Sequence, residues 1–541
     1  MFSIDQNCHP FWDAVPKLQA LAAHGHRVTH FIEDNDVAFT AMGASVDDTV
    51  LHLARERYHR SGGQDWGAAL FYSQFLARLP VEIRHWEPLT GLKTKTLARQ
   101  LDRTVDDLYD EFSPGDTWQL IGSSYIGDRD HHRVIGDLSV RETRDFLLEL
   151  VAKAKADMFG AFPEKASQER LGEWFGAEEE RLGRLLDQCA GAGLVELYRC
   201  WMREHLPSNL IELGEASTLF ACDADPARLS LLCLFLSDYG RLVELYNASL
   251  EETGSDLHPL NAAEGELPLF AIQEFQGHLV RTEARLRDGE VHLGRLAFKV
   301  GSECRFPVNE MMQAGVRCLA GKAVLMVLQA RYGPSGQPLA LPRLGSLYVP
   351  AANRLAQKLA AEGLLAGELS PIVRVRFRLL DRMRSLDTVL RLPRHLAACF
   401  GRDEIPAREL GDAHSELARE AARRLARLRD DASRGPLQSE LFPGLVAGIQ
   451  GIEERRRQMA QSSCTPEQMS DVWRQSKELQ RQLLEATLRQ IAVDWQVREI
   501  GYWDSRGALL PWSIALGGRD FCRRLIAEAE IHEEDAIPAH A

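Results

Sequence analysis

Ten cysteines are scattered along the 541-residue chain, and no two stand at C-x-x-C spacing. That pattern argues against a disulfide framework and against a structural zinc knuckle. Thiols in apolar settings such as Leu231-Leu-Cys-Leu-Phe read as small buried core groups. Long apolar runs are missing too. The stretch Ala323 to Ala330 is far short of a bilayer span, and the first residues, Met1-Phe-Ser-Ile-Asp-Gln-Asn, lack the basic and apolar regions of a secretion signal. A reducing cytoplasm is the expected compartment, with no membrane partner. No G-x-S-x-G elbow marks an α/β-hydrolase, and no G-x-G-x-x-G follows a strand. Positive charge is outnumbered: 64 Lys and Arg stand against 78 Asp and Glu, a net charge of −14. Phosphate neutralisation needs clustered Lys and Arg, so a nucleic-acid partner is not expected.

What is present is an ordinary globular composition, 45% hydrophobic and 26% charged, in a chain long enough for roughly two to four domains. The most apolar long passage runs from Gln313 to Leu380 and mixes helical and strand periods, which predicts a βαβ-like unit in the core. Before it, Leu269-Phe-Ala-Ile-Gln-Glu-Phe, Leu279-Val-Arg-Thr-Glu-Ala-Arg-Leu and Val291-His-Leu are separated by Gln276-Gly and Asp288-Gly, the signature of a β-meander over about 267–300. Residues 1–210 read as mostly helical. A helix ends at Pro80, a helical hairpin spans Thr96 to Tyr109, a strand opens at Trp118, and Ser139-Val-Arg-Glu142 forms a capping box. Asp106, Asp107, Asp110 and Glu111 would repel phosphate, so the hairpin serves packing and not DNA. A helical stretch from Arg228 to Leu250 is almost continuously apolar and is expected to be buried.

Beyond residue 400 the pattern is helical. His414, Ala418, Ala421, Leu425 and Leu428 form one seam; a break follows at Ser433-Arg-Gly-Pro. A later helix opens at Thr465-Pro-Glu-Gln468. The predicted fold is therefore a helix-rich α/β protein. It has a central mixed sheet with a β-meander, a helical N-terminal region (1–210), an α/β core (211–400), an antiparallel, coiled-coil-like arm (401–500) and a returning C-terminal segment (501–541).

Two constellations carry chemistry. Gly315-Val-Arg-Cys-Leu-Ala-Gly-Lys-Ala is not a phosphate loop, because its glycines are one residue too far apart and Ala323 replaces the magnesium-binding Ser or Thr. Lys322 could still meet an anion at a helix N-terminus, or simply face solvent. Guanidinium forks suit carboxylate and phosphate, which makes Arg343, Arg374 and Arg376 candidate anion contacts. Alternation with Val373, Val375 and Phe377 equally allows Arg374 and Arg376 to lie on a solvated strand face. Separately, His30-Phe-Ile-Glu-Asp34-Asn-Asp36 follows the strand Arg27-Val-Thr, and Asp130-His131-His132 lies further on. These spacings are similar to those of the DHH phosphoesterases. That resemblance implies His30, Asp34, Asp36, Asp130 and His132 as ligands of divalent metal ions. A surface loop of satisfied histidines is the alternative.

From about residue 210 to 530 a longer order of features stands out: Tyr246-Asn-Ala-Ser-Leu-Glu closing a helix, the meander from Leu269-Phe, Arg305-Phe-Pro-Val-Asn309, Leu341-Pro-Arg-Leu, a helix closing on Leu355 to Leu359, and a long helical hairpin. This order resembles the bacillithiol-biosynthesis cysteine-adding enzymes, most specifically at Asn309 and Pro342-Arg343. The resemblance implies a nucleotide-binding-like core, a helical arm that mediates homodimerisation, and ligase-like joining of cysteine to an amino-sugar malate conjugate. The expected function is thus that of a ligase-like enzyme on a small anionic metabolite, contacted by Asn309, Lys322, Arg343, Arg374 and Arg376. The cofactor stays open: a nucleotide (ADP or ATP) fits this reading, and a divalent metal only the phosphoesterase one. A noncatalytic scaffold is the third alternative.

Overall fold

The computed structural model describes residues 1–4, 11–36, 83–112, 133–207, 209–255, 257–343, 346, 348–365, 367–461, 465–498, 500–501 and 509–534. The expected helix ending at Pro80 and the strand at Trp118 lie outside the described residues. Thirteen strands are described: β1 (Phe2–Ile4), β2 (Val28–Ile32), β3 (Ile211–Glu215), β4 (Glu266–Phe275), β5 (His278–Arg287), β6 (Glu290–Leu293), β7 (Leu296–Lys299), β8 (Val316–Gly321), β9 (Leu339–Pro342), β10 (Ile372–Arg376), β11 (Val389–Arg391), β12 (Glu404–Pro406) and β13 (Glu530–Glu534).

The central sheet has the order β13-β10-β9-β1-β2-β3. All neighbours are parallel except β13, which runs antiparallel to β10. Both faces are covered, as a parallel sheet requires. Val28, Ile32, Ala340, Val373 and Val375 pack on one face with the helices Phe11–Ala23, Lys165–Gln188 and Leu509–Ala527. Ile4, Phe31, Leu339, Leu341 and Ile372 pack on the other with Pro226–Ser237, Val324–Arg331 and Val349–Ala361. In chain order the parallel strands read 3-2-1-4-5. The chain winds outward from β1 through β2 to β3, then from β9 to β10 on the opposite side. This is a doubly wound sheet whose direction reverses between β1 and β9.

The unit β9, helix Val349–Ala361 and β10 is the βαβ element expected between Gln313 and Leu380. Its first strand-like segment, β8, belongs elsewhere: it closes a five-stranded antiparallel sheet, β7-β6-β5-β4-β8. The meander therefore stands as read. Gln276 and Gly277, and Asp288 and Gly289, all adopt positive φ (51°, 82°, 50° and 76°), the turn whose twist matches a two-residue hairpin. The sheet crosses the boundary expected at residue 210, since β1 and β2 bring the first residues of the chain to its centre.

Local signals elsewhere are realised atom by atom. Ser139 and Glu142 form their capping box before Val140–Ala161, and Thr465 and Gln468 form theirs before Pro466–Val497. The helical stretch expected over Arg228 to Leu250 is present as two helices, Pro226–Ser237 and Tyr239–Glu252. Asp238, with φ −142°, leaves the helix between them and caps the second by accepting from the Arg241 N–H. The break expected at Ser433-Arg-Gly-Pro is absent: the helix Asp431–Leu441 runs through Pro436 and the chain breaks instead at Asp430 and Phe442. Asp430 caps that helix through the Ser433 N–H at 3.0 Å, and this start places Gly435 and Pro436 inside it.

The helices Thr94–Leu101 and Val105–Phe112 bury Leu97, Leu101 and Leu108 against Leu425, Leu484, Leu488 and Ile491 of the C-terminal helices. The hairpin is thus used for packing. Among the described residues no helix is long and apolar enough to cross a membrane.

Candidate functional site

Strand polarity places one set of loops together. The carboxyl ends of β1, β2, β3, β9 and β10 share one edge of the sheet, so the segments after Ile4, Ile32, Glu215, Pro342 and Arg376 leave from the same side. Doubly wound sheets bind ligands at this edge, in the crevice where the winding reverses. Here that point lies between β1 and β9. Two strand spacings, roughly 10 Å, separate β2 from β9 across β1.

On the β9 side stands Arg343, the residue after Pro342. Its N–H donates to the Val375 carbonyl at 2.9 Å, which fixes the backbone, while its side chain is exposed and has no partner among the described residues. Ser346 follows with a φ of 56°, a conformation costly for a residue with a Cβ, and its buried hydroxyl has no partner among the described residues. Then begins the helix Val349–Ala361, with Pro350 in its first turn and no side-chain cap. The Val349 N–H already donates to the Ser346 carbonyl at 3.2 Å and Pro350 has none, so the Ala351 N–H and the positive end of the dipole are what this end offers an anion.

On the β2 side is Glu33-Asp34-Asn35-Asp36, held from three directions. Gly136 donates its N–H to the Asp34 carbonyl at 2.8 Å, and Ile135 to that of Asp36 at 3.0 Å. The Asp34 carboxylate accepts from the Ser217 N–H at 2.7 Å and from the Ser217 hydroxyl, capping the short helix Ala216–Leu219. Asp36 accepts from Arg281 of β5 at 2.5 Å, and the Arg281 guanidinium lies 4.0 Å from the centre of the Phe270 ring. Asp137 ties the covering segment to the β4–β5 hairpin, accepting from Leu279 N–H at 2.8 Å and sitting 2.9 Å from His278 Nδ1. Burial pushes the Asp34 carboxyl up to about 6, opposed by the Ser217 bonds and reinforced by the Glu215 charge. Asn35 is 1% exposed, and neither its amide nitrogen nor its oxygen has a partner among the described residues.

The sequence candidates fall in different places. Lys322 follows β8 of the second sheet and is held by Glu266 at 3.1 Å and by Glu283. Arg374 pairs across strands with Glu534 at 2.7 Å and donates to the Pro342 carbonyl at 3.2 Å. Arg376 lies 3.6 Å from Glu530 and 3.7 Å from Asp381. Both arginines face the carboxylates of the edge strand and its neighbourhood. Asn309 is exposed on the helix Val308–Gln313, beyond the second sheet. Only Arg343 of the five stands at the winding reversal.

Of the residues considered as metal ligands, Asp130 and His132 lie outside the described residues. His30 is fully buried, its Nδ1 2.9 Å from the Ser3 hydroxyl. Asp34 and Asp36 turn to Ser217 and Arg281 respectively. Among the described residues no group of three or more His, Cys, Asp or Glu side chains is arranged to hold a metal ion. Asn35, Ser217 and Arg281 join this edge without a sequence signal of their own, because long-range pairing alone brings them there. No protein-family model matches the chain, and no curated protein matches it.

Proposed function

We propose that the chain is a cytoplasmic small-molecule enzyme, ligase-like in chemistry, that takes an anionic metabolite or a nucleotide (ADP or ATP) at the carboxyl edge of its doubly wound sheet. The observation that carries this reading is Arg343. Lys322, Arg374 and Arg376 are already neutralised by carboxylates, whereas Arg343 has no such partner among the described residues and precedes a 13-residue helix that has no side-chain cap. A guanidinium beside a helix N-terminus suits phosphate or carboxylate oxygens. The strained Ser346 backbone supports the same loop as the binding element.

The test is calorimetric titration of ADP into wild type and Arg343→Ala. Loss of one charge-assisted contact, about 1.5–3 kcal/mol, weakens binding by about 10- to 150-fold. Arg374→Ala serves as the comparison and leaves the affinity within about threefold, since that guanidinium already serves Glu534. Equal losses in both variants would count against the assignment.

The helical arm is the proposed homodimer contact. Helix Pro443–Ala460 buries none of its residues fully, and Trp473 on Pro466–Val497 is 50% exposed. A second copy laid along these helices would cover both. Light scattering of the full chain is expected to give twice the 60.7 kDa chain mass, with Trp473→Glu shifting it toward the monomer. A wild-type monomer at tens of micromolar would contradict it.

A further inference from the structure

Asn35 is the group at this edge whose chemistry is unaccounted for. A primary amide offers two N–H donors and a carbonyl acceptor. Buried without partners, such a group is destabilising, and native structures contain few of them. The neighbours on either side are spent: Asp34 on Ser217, Asp36 on Arg281. The backbone around it is fixed by Gly136, whose added Cβ would lie 3.2 Å from the Asp34 carbonyl oxygen, so the covering segment fits this loop closely. Asn35 is thus held in place, 1% exposed and unpartnered among the described residues, three residues beyond the end of β2.

We infer that Asn35 is a specificity residue that reads a planar donor–acceptor edge on the ligand, that of adenine, in which an amino group stands beside a ring nitrogen. The amide carbonyl accepts from the amino group and the amide N–H donates to the ring nitrogen, a bidentate pairing suited to Asn. This rests on the nucleotide reading above. Placed across the β1 end from Arg343, it gives the two sides of the crevice separate tasks. The β9 side takes the phosphates, and the β2 side takes the base.

The experiment titrates ADP, GDP and inorganic pyrophosphate into wild type, Asn35→Leu and Asn35→Asp. Guanine presents an acceptor where adenine presents its amino donor. Wild type is expected to prefer ADP over GDP by about 5- to 150-fold, the range of one bidentate base contact. In Asn35→Leu that preference disappears, while pyrophosphate affinity stays within about threefold of wild type. Asn35→Asp keeps the acceptor, loses the donor and falls between. Melting of the unliganded proteins gives a second readout. Replacing an unsatisfied buried amide with an apolar group of similar size raises the melting temperature of Asn35→Leu, whereas a structural amide would make it fall. Unchanged discrimination in Asn35→Leu, or a lowered melting temperature without ligand, overturns the inference and leaves the anion site standing. Failure of wild type to bind ADP and pyrophosphate alike overturns the site itself.

Discussion

Asp494→Ala is expected to destabilise the protein by about 3–5 kcal/mol, the range for removing one partner of a buried ion pair. Asp494 is fully buried on the long helix Pro466–Val497, and it accepts from Arg424 Nη2 at 2.7 Å, Arg424 Nε at 3.0 Å and Gln490 at 3.0 Å. Arg424 belongs to Ala407–Arg429 and is 18% exposed; Glu420, 3.2 Å away, is its other carboxylate. Removing Asp494 leaves the largely buried Arg424 guanidinium with Glu420 as its remaining carboxylate. The cost is that of a buried guanidinium left under-paired more than of a lost attraction. Arg424→Met combined with Asp494→Leu is therefore expected to recover most of the loss, since apolar replacements of buried pairs are often neutral or stabilising. Urea denaturation followed by helical circular dichroism measures both. A double variant as unstable as the single one would show that the pair supplies net stability of its own.

Two buried groups are expected to pull stability in opposite directions with pH. His395, on the helix Arg394–Phe400, is 3% exposed, and burial pushes its pKa down to about 3. Between about 3 and the ordinary 6.5 the unfolded chain binds a proton that the native state refuses, so this group costs stability as pH falls, about 1.4 kcal/mol per unit. Asp34 has the opposite sign. Its carboxyl, raised from 3.8 to about 6, holds a proton in the native state that the unfolded chain has released, so its contribution falls as pH rises through that window. In wild type the two slopes oppose each other between pH 4 and 6. Asp34→Asn keeps an acceptor for the Ser217 N–H and removes one slope, so its stability is expected to drop more steeply on acidification than wild type. His395→Phe removes the other and is expected to become flatter or to rise. Melting temperatures across pH 4–7 decide it, and parallel profiles for all three proteins would contradict the assignment.

How much of this was legible follows from the range of the interactions. The meander and its turns were readable because Gln276-Gly277 and Asp288-Gly289 stand between alternating segments, and a two-residue turn is a local affair. Both capping boxes were readable for the same reason. The centre of the sheet was not. The strand β1 has three residues, too few to show a period of two, and its partners β2 and β9 lie about 26 and 337 positions away. Arg343 could be named from its residue type and its Pro-Arg context. Only the fold distinguishes it from Lys322, whose carboxylates Glu266 and Glu283 come from β4 and β5. At the β2 end the carboxylates of Asp34 and Asp36 drew attention as ligands, yet they are engaged by the protein. The residue between them, with no charge to mark it, is left unpartnered among the described residues.

Ligand is proposed to bind where the winding reverses, between the loops after β2 and β9. Hydrogen–deuterium exchange with and without saturating ADP tests it most directly, because backbone amides report the location whatever the chemistry. Slowed exchange is expected at 33–36, at 343 and at 348–352, with the second sheet and the helices Pro443–Ala460 and Pro466–Val497 unchanged. Protection confined to the helical arm or to the second sheet, with both loops unaltered, would contradict it.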